Sequence, residues 1–553
     1  MRKSPLLFCL SLSTLSLTLT SCTNFFDFGS SEGAGQDSAT SSSTTAWINQ
    51  STSSETSTSQ PASGSGGTST TTAASSGPAL VDSAEYTSLW TYGSDVKLSL
   101  SFKTDSHNRS VLYYVSHYGV YSSSTSSGVT TRYFDYYFPA DLTLTLNGKT
   151  YTIPDVGVRE KGNNTRTDFC SSDGSFNGKH LSHLKISFNE TFATESASAN
   201  TSIKSLFSNY SFQTSASQRD ARSLFDMNKL DLKYVPRNTS ADLASGFSYI
   251  GPGCYNQEIY CYNAFSKEGL MSPHANSASL TLDTGTASKT AAYEIVESID
   301  KRFLKRHFSS SDAKGDLYKC TWSNKLDMTS ANFDSASVTN PGTGDIGIED
   351  NYSGYHPTYD LKTNDSAGAS SDFSKMVNLI NVVNEAADGQ ASQSQLEAVL
   401  DVQEFLTFSA VDVCLGNYDS FRYSYNNYYI YFIPSSGKAI YIPYDYDWSL
   451  GTEPSSSSMS SRGAYDETNG SGRSTNSNPI FAATFFKSGS LAYSKSAYQS
   501  SYSAAVQKCL DDGILTYGSY TSLVNPLLYI SKTEYSSVSS YMSKKTSALN
   551  NSL

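Results

Sequence analysis

Three carboxylates and an amide stand close together in one stretch of the chain: Asp419, Asn427, Asp445 and Asp447. Their oxygens are hard donors that suit Mg²⁺ or Mn²⁺, and crowded carboxylates repel one another until a cation joins them. The spacing gives them a reason to meet. Asn427 opens a β-rich run over 428–433, Pro434-Ser435-Ser436-Gly437 reads as a turn, and a return strand over 439–442 leads to Asp445. A hairpin sets its open ends side by side, so two arms of similar length, at about 3.3 Å per residue, make Asn427 and Asp445 neighbours. Asp419 lies a short loop upstream. The alternative is that Asp419 and Asn427 cap loops while Asp445 and Asp447 belong to a solvated turn. Paired carboxylates also cleave glycosides, but an Asn among acids at a hairpin end suits a metal better.

The elements that must position this group follow from periodicity. Residues 96–102 alternate apolar and polar, as a half-buried strand does. The runs 140–146 and 151–159 flank Asn147-Gly148, a hairpin turn signal, and 184–188 alternate again. Phe373, Met376, Val377 and Ile380 follow the helical i, i+3, i+4, i+7 rule, with Ser371 or Asp372 as cap and Gly389 as stop. A second amphipathic helix is expected over 394–414, carrying Val399, Val402, Leu406 and Val413 and ending before Gly416. The content is mixed α and β, rich in strands first and in helices later.

An Asp after a helix, then an Asn, a hairpin and a second Asp is the order found in protein-kinase phosphotransfer sites. The segment Gly416-Asn417-Tyr418-Asp419-Ser420, through Asn427-Tyr428-Tyr429, to Ile442-Pro443-Tyr444-Asp445-Tyr446-Asp447 resembles the hallmark of the CotH kinase family, the spore coat protein H-like kinases. Further stretches resemble other family signatures in the same order. These are Arg159 to Arg166, Leu184-Lys185-Ile186, Leu230-Asp231-Leu232-Lys233, and the block from Tyr293 to Asp300 followed by Gly315-Asp316-Leu317-Tyr318-Lys319. The resemblance spans roughly residues 95–455.

It implies an α+β, atypical protein-kinase-like fold of two lobes, transferring the γ-phosphate of ATP to Ser or Thr hydroxyls with Mg²⁺ or Mn²⁺. By motif, Asp419 would orient or deprotonate the attacking hydroxyl. Asn427 and Asp445, with Asp447 as the rival to Asp445, would hold the metal. Arg159, Lys161, Gly162, Asn163 and Arg166 would form a glycine-bearing turn over the phosphates. Lys185 is the candidate to pair with phosphates, and Glu258 the helix glutamate to hold it. A lysine on an alternating strand is more often a solvated one, and an acid in a first helical turn often only complements the dipole.

The ends of the chain speak of place. Arg2 and Lys3 precede an apolar stretch that closes on Leu19-Thr20-Ser21-Cys22, a secretory signal resembling a bacterial lipobox with Cys22 as the lipidated residue. Residues 23–80 read as a Ser/Thr-rich tether, 81–455 as the kinase-like domain, and 456–553 as loops and helical extension. The expected setting is the bacterial cell envelope, with a membrane lipid at one end and an envelope or surface protein, or the tether itself, as acceptor. A kinase fold kept without turnover, as a structural, adhesive or nucleotide-binding lipoprotein, is the competing function, because ATP is scarce outside the cytoplasm. Six cysteines remain in the body, open either to disulfides or to lone buried thiols. Over 553 residues, 13% aromatics with 39 Tyr exclude a wholly disordered chain, and no internal run reaches the roughly 20 apolar residues of a membrane span. A net charge of −12 would repel a phosphate backbone, so nucleic acid is not an expected partner.

Overall fold

The strand with the cleanest alternation, β1 (Val96–Ser101), buries Val96, Leu98 and Leu100 and turns Lys97, Ser99 and Ser101 outward. In the computed structural model it belongs to a closed barrel. The model describes residues 78–119, 123–125, 128–130, 135–162, 165–192, 210–236, 254–321, 326, 346–349, 357–452, 459–466, 478–484, 495–530 and 535–553. A small ribbon pairs β2 (Ser123–Thr125) with β3 (Gly128–Thr130). The barrel strands that follow are β4 (Phe138–Leu146), β5 (Lys149–Lys161), β6 (His183–Ser187), β7 (Lys229–Tyr234), β8 (Ala275–Asp283) and β9 (Ser288–Glu297). Their order around the barrel is β1-β4-β5-β6-β7-β9-β8, and the ring closes where β1 runs parallel to β8 from Lys97↔Ser279 to Ser101↔Asp283.

The expected hairpin is present. Asn147 (φ 49°) and Gly148 (φ 84°) both take the left-handed backbone that a two-residue turn between twisted strands requires. Past it, β5 continues two residues beyond the expected end, to Lys161, which carries the strand to the functional site.

A five-stranded sheet, in the order β11-β12-β10-β13-β14, is built from β10 (Leu317–Cys320), β11 (Ile346–Gly347), β12 (Tyr359–Leu361), β13 (Tyr428–Phe432) and β14 (Ala439–Pro443). The helix Ser374–Ala387 buries Met376, Leu379, Ile380 and Val383, and Gly389 (φ 77°) lies just past it, as expected. The single helix expected over 394–414 is instead two, Gln393–Val399 and Val402–Leu415. Leu400 turns extended to bridge Ala439 on β14, and Asp401 donates its N–H to the Ala439 carbonyl at 2.9 Å before its side chain caps the second helix. A long-range backbone pairing therefore overrides helical periodicity there.

The mixed α and β content agrees with the expected class, while a division into two lobes is not established by the described residues. The strand-rich part is a closed barrel. The larger apolar cluster runs from its Leu98, Leu142 and Ile186 to Phe405 and Val413 of the later helix and on to Tyr502 and Val506 of helix Lys495–Asp511, and a smaller one holds Phe303, Leu317, Tyr431 and Ile442. Cys170, Cys261, Cys320, Cys414 and Cys509 are buried free thiols. Among the described residues, no helix is long and apolar enough to cross a membrane. The signal, Cys22 and nearly all of the tether lie outside the described residues.

Candidate active site

Helix Val402–Leu415 stops because Gly416 adopts φ 61°, ψ 46°, freeing the chain to turn into the 417–420 loop. Asn417, fully buried, fixes that loop from both sides. Its Oδ1 accepts the Asp419 N–H at 3.0 Å, and its Nδ2 donates to the Asp445 carbonyl at 3.0 Å. Tyr418 N–H donates to Trp448 O at 3.0 Å and Leu450 N–H to Leu415 O at 2.9 Å, so the segments carrying Asp419 and Asp445 run side by side.

The hairpin closes in the expected register. Tyr428 faces Pro443, so Asn427 and Asp445 lie just beyond the paired ends of β13 and β14. Asn427 donates its side-chain N–H to Asp419 Oδ2 at 3.0 Å and to the Asp419 carbonyl at 3.1 Å, while Asn426 donates to Asp419 Oδ2 at 3.2 Å. Asn427 (φ 60°) and Asp445 (φ 59°) both hold left-handed backbone, strain of a kind that clusters at functional sites.

At the centre is a lysine that sequence reasoning placed elsewhere. Lys233, on β7 and almost wholly buried, sends its ammonium to Glu258 Oε1 at 2.7 Å and Oε2 at 2.6 Å. It also pairs with Asp445 and approaches Asp447 Oδ2 at 3.9 Å. Glu258, on helix Cys254–Lys267, additionally accepts Tyr262 Oη–H at 2.7 Å and Tyr446 N–H at 3.1 Å. Tyr262 Oη in turn accepts the Asp445 N–H at 2.9 Å. Glu258 thus holds a lysine, as expected, but the lysine is Lys233, not Lys185.

The reason is register. Lys185 on β6 stands opposite Asp231 on β7, and its Nζ lies 3.2 Å from Asp231 Oδ1. Lys233, two residues along β7 and so on the same strand face, passes beyond that pair to Glu258. The signal was present in Leu230-Asp231-Leu232-Lys233, a strand with opposite charges at i and i+2. Asn417, Tyr262 and the buried Asp412, which accepts Tyr446 Oη–H at 2.8 Å, carried no motif that singled them out.

Beside this group lies a cationic wall. Lys161 Nζ is 3.6 Å from Asp231 Oδ2 and 5.5 Å from the Tyr444 ring centre, which Lys319 on β10 approaches at 4.9 Å. The two arginines of the expected phosphate turn are tied to Asp135, just before β4. Arg159 Nη1 meets Asp135 Oδ2 at 2.5 Å, and Arg166 Nη2 meets Asp135 Oδ1 at 2.6 Å. Arg166 Nε also donates to the Gly162 carbonyl at 2.6 Å. Gly162 (φ 84°) leaves no room for a Cβ, which would stand 2.6 Å from Thr165 Oγ1. Asn163 lies outside the described residues.

Charge and burial set these groups apart. Burial and the neighbouring Asp445 charge push the Asp419 carboxyl up to about 6, against the pull of its amide donors. Burial would raise Asp445 too, but the Lys233 and Lys161 ammoniums outweigh it and hold that carboxyl at about 2. Asp447 goes the other way, pushed well above its ordinary value by burial and by the Asp445 and Glu258 charges, only partly relieved by Lys233. Burial lowers Lys185 to about 7 despite Asp231.

Oxygens of Glu258, Asp445 and Asp447 lie within 4.8 Å of one another. Three carboxylates against the single Lys233 ammonium leave this donor set short of positive charge. A hard divalent cation such as Mg²⁺ would meet that need, so the residues fit one.

Comparison with known proteins accords with this arrangement. A family model described as CotH kinase protein matches residues 255–526, a stretch that holds Glu258, Asp419, Asn427, Asp445 and Asp447 but not Lys233. It begins and ends later than the span read from the motifs. No curated protein matches the chain. Among solved structures, the proinflammatory kinase CtkA of Helicobacter pylori is similar at 10% identity, over 58% of this chain and 88% of that one, with a TM-score of 0.26. The HipA, HipB and operator DNA complex of a Shewanella oneidensis MR-1 toxin antitoxin system is similar at 11% identity, over 58% and 57%, with a TM-score of 0.25. Such low scores carry no argument, and what counts is the family match: residues 255–526 match the CotH kinase family.

Proposed function

We propose that this chain is an ATP- and Mg²⁺-dependent kinase acting on Ser or Thr hydroxyls of proteins. The family match over residues 255–526 supports a kinase-like function in the coarse sense. The observation that carries the finer reading is the convergence of Asp419 and Asn427 with Asp445, Asp447 and the Lys233–Glu258 pair. In phosphoryl transfer the protein contributes positioning and charge neutralisation more than covalent chemistry.

Asp419, ionised above pH about 6, is the base for the acceptor hydroxyl. As the acceptor oxygen bonds to the γ-phosphorus, the bond to the β,γ-bridging oxygen breaks, leaving ADP, and the hydroxyl proton goes to Asp419. Asn426 and Asn427 orient that carboxylate. Asp445 and Asp447, with Asn427, would hold Mg²⁺, which when bound neutralises charge on the phosphates. Lys161 and Lys185, which share Asp231, and Lys319 would take the phosphate oxygens. Lys233 keeps Glu258 and the Asp445 segment joined. The test is transfer of labelled γ-phosphate to a general protein acceptor and to the chain itself, comparing wild type with Asp419→Ala. Equal incorporation by both, or none by either with Mg²⁺ or Mn²⁺ present, would sink the reading.

Lipidation at Cys22, an envelope location and the Ser/Thr-rich tether as an acceptor belong to the same proposal. They rest on the Leu19-Thr20-Ser21-Cys22 segment and the composition behind it. Labelled fatty acid should enter the wild type and not Cys22→Ala, and phosphopeptides should map to residues 23–80. A second reading, a nucleotide-binding lipoprotein without turnover, draws on Lys233 lying directly against Asp445. Saturable binding of Mg²⁺–ATP without transfer would favour it.

A further inference from the structure

Helix Tyr535–Asn550 begins beyond residue 526, where the family match ends, yet it reaches the catalytic segments. Tyr541, 3% exposed, donates its hydroxyl hydrogen to the Cys414 carbonyl at 3.0 Å, at the last turn before the 417–420 loop. Its ring lies against two glycines. A Cβ on Gly416 would run into the Tyr541 hydroxyl, and one on Gly451 would stand 3.3 Å from Tyr541 Cβ. Gly416 is three residues before Asp419 and Gly451 four after Asp447, so one side chain touches both acid-bearing segments where they cross. The helix is held in place four residues on. Lys545, fully buried, donates to Met459 O at 3.2 Å and Arg462 O at 2.9 Å. The adjoining Ala464 accepts Arg422 Nη2–H at 2.7 Å, and Arg422 N–H bonds to Ser420, the neighbour of Asp419.

We propose that Tyr541 is a positioning residue for the phosphotransfer centre, supplied by a helix outside the family match, which fixes the Asp419 segment against the Asp445–Asp447 segment. Both glycines take left-handed backbone, Gly416 at φ 61° and Gly451 at φ 91°, which leaves the segments room to bend. Filling the space between them with one rigid aromatic ring removes that freedom. A hydrogen bond to the Cys414 carbonyl sets the height of the ring along the helix end. The catalytic consequence rests on the kinase reading; the mechanical one does not.

The test is Tyr541→Phe in the full chain, which keeps the ring and removes the hydroxyl. Amide hydrogen exchange should accelerate at Tyr418, Asp419 and Leu450, while barrel amides such as those of β4 and β5 keep wild-type rates. Turnover should fall about tenfold, with the KM for nucleotide changed less than about twofold. Unchanged exchange at those three amides overturns the proposal. So does acceleration spread evenly over the barrel, or loss of a cooperative unfolding transition, either of which makes Tyr541 an ordinary core residue. If the wild type transfers no phosphate, the kinase reading falls, and exchange still decides whether Tyr541 fixes the two segments. Wild-type transfer with undiminished Tyr541→Phe turnover overturns the positioning role alone.

Discussion

Lys233 answers three carboxylates with one ammonium, and its own basicity is held well above the ordinary lysine value because their charges outweigh burial. Lys233→Met should leave Glu258 a buried anion without its cation and Asp445, one-third exposed, with only the more distant Lys161. The expected loss is about 3–5 kcal/mol in denaturant unfolding, the range for breaking a buried pair from one side. Lys185→Met removes a cation only from Asp231, which keeps Lys161, and should cost less. A smaller loss for Lys233 than for Lys185 would refute this ranking. The two lysines look alike in the sequence because both sit on short alternating strands. What separates them is which strand lies next to the helix of Glu258, a fact of strand order that alternation does not encode.

Asp419 and Asp445 should divide the pH axis. For Asp419 the folded carboxyl is raised to about 6, so its ionisation costs folding stability as pH rises through about 6, and that ionised form is the one that accepts a proton. Turnover should therefore climb with pH through about 6. Asp445 is depressed to about 2, so its contribution is present above the ordinary carboxyl value near 4 and is lost only as pH falls toward 2. A rate profile at saturating Mg²⁺ checks this, and an acid limb centred near 4 would point to a different base.

Among the elements, the hairpin β13–β14 was the most legible. Its turn residues and arm lengths agree on the register, in which Asn427 bonds Asp419 at one open end and Asp445 stands at the other. The helix before it was misread as one because Leu400 and Asp401 break it for the sake of a partner, Ala439, some forty residues on. Asp401 now starts the helix that ends at the catalytic loop, and its side chain accepts the Glu404 N–H at 3.2 Å. Asp401→Ala should cost about 1 kcal/mol by loss of that cap, measured as a lowered unfolding midpoint. An unchanged midpoint would mean that the Leu400 bridge alone sets the boundary.

At the scale of the whole molecule, alternation identified barrel strands but not the barrel. β1 and β8 lie some 180 residues apart, and nothing local to either announces a parallel partner. Sequence distance also hid the C-terminal helix from Gly416, whereas the acidic group was legible because a single hairpin assembles most of it. Mg²⁺ should bind the folded chain and not the unfolded one, so titrating it should raise the thermal midpoint of wild type and move Asp447→Asn less. Equal shifts for both would place the ion elsewhere.

The seam between β1 and β8 also imposes an order of events during synthesis. The ring cannot shut until residue 297 has emerged, because β9 links β7 to β8, so the earlier strands must wait with an open ladder at each edge. Contacts of such long range slow folding. A nascent chain that pauses in this way stays threadable through a narrow conduit for longer than one whose sheets zip up from neighbouring strands.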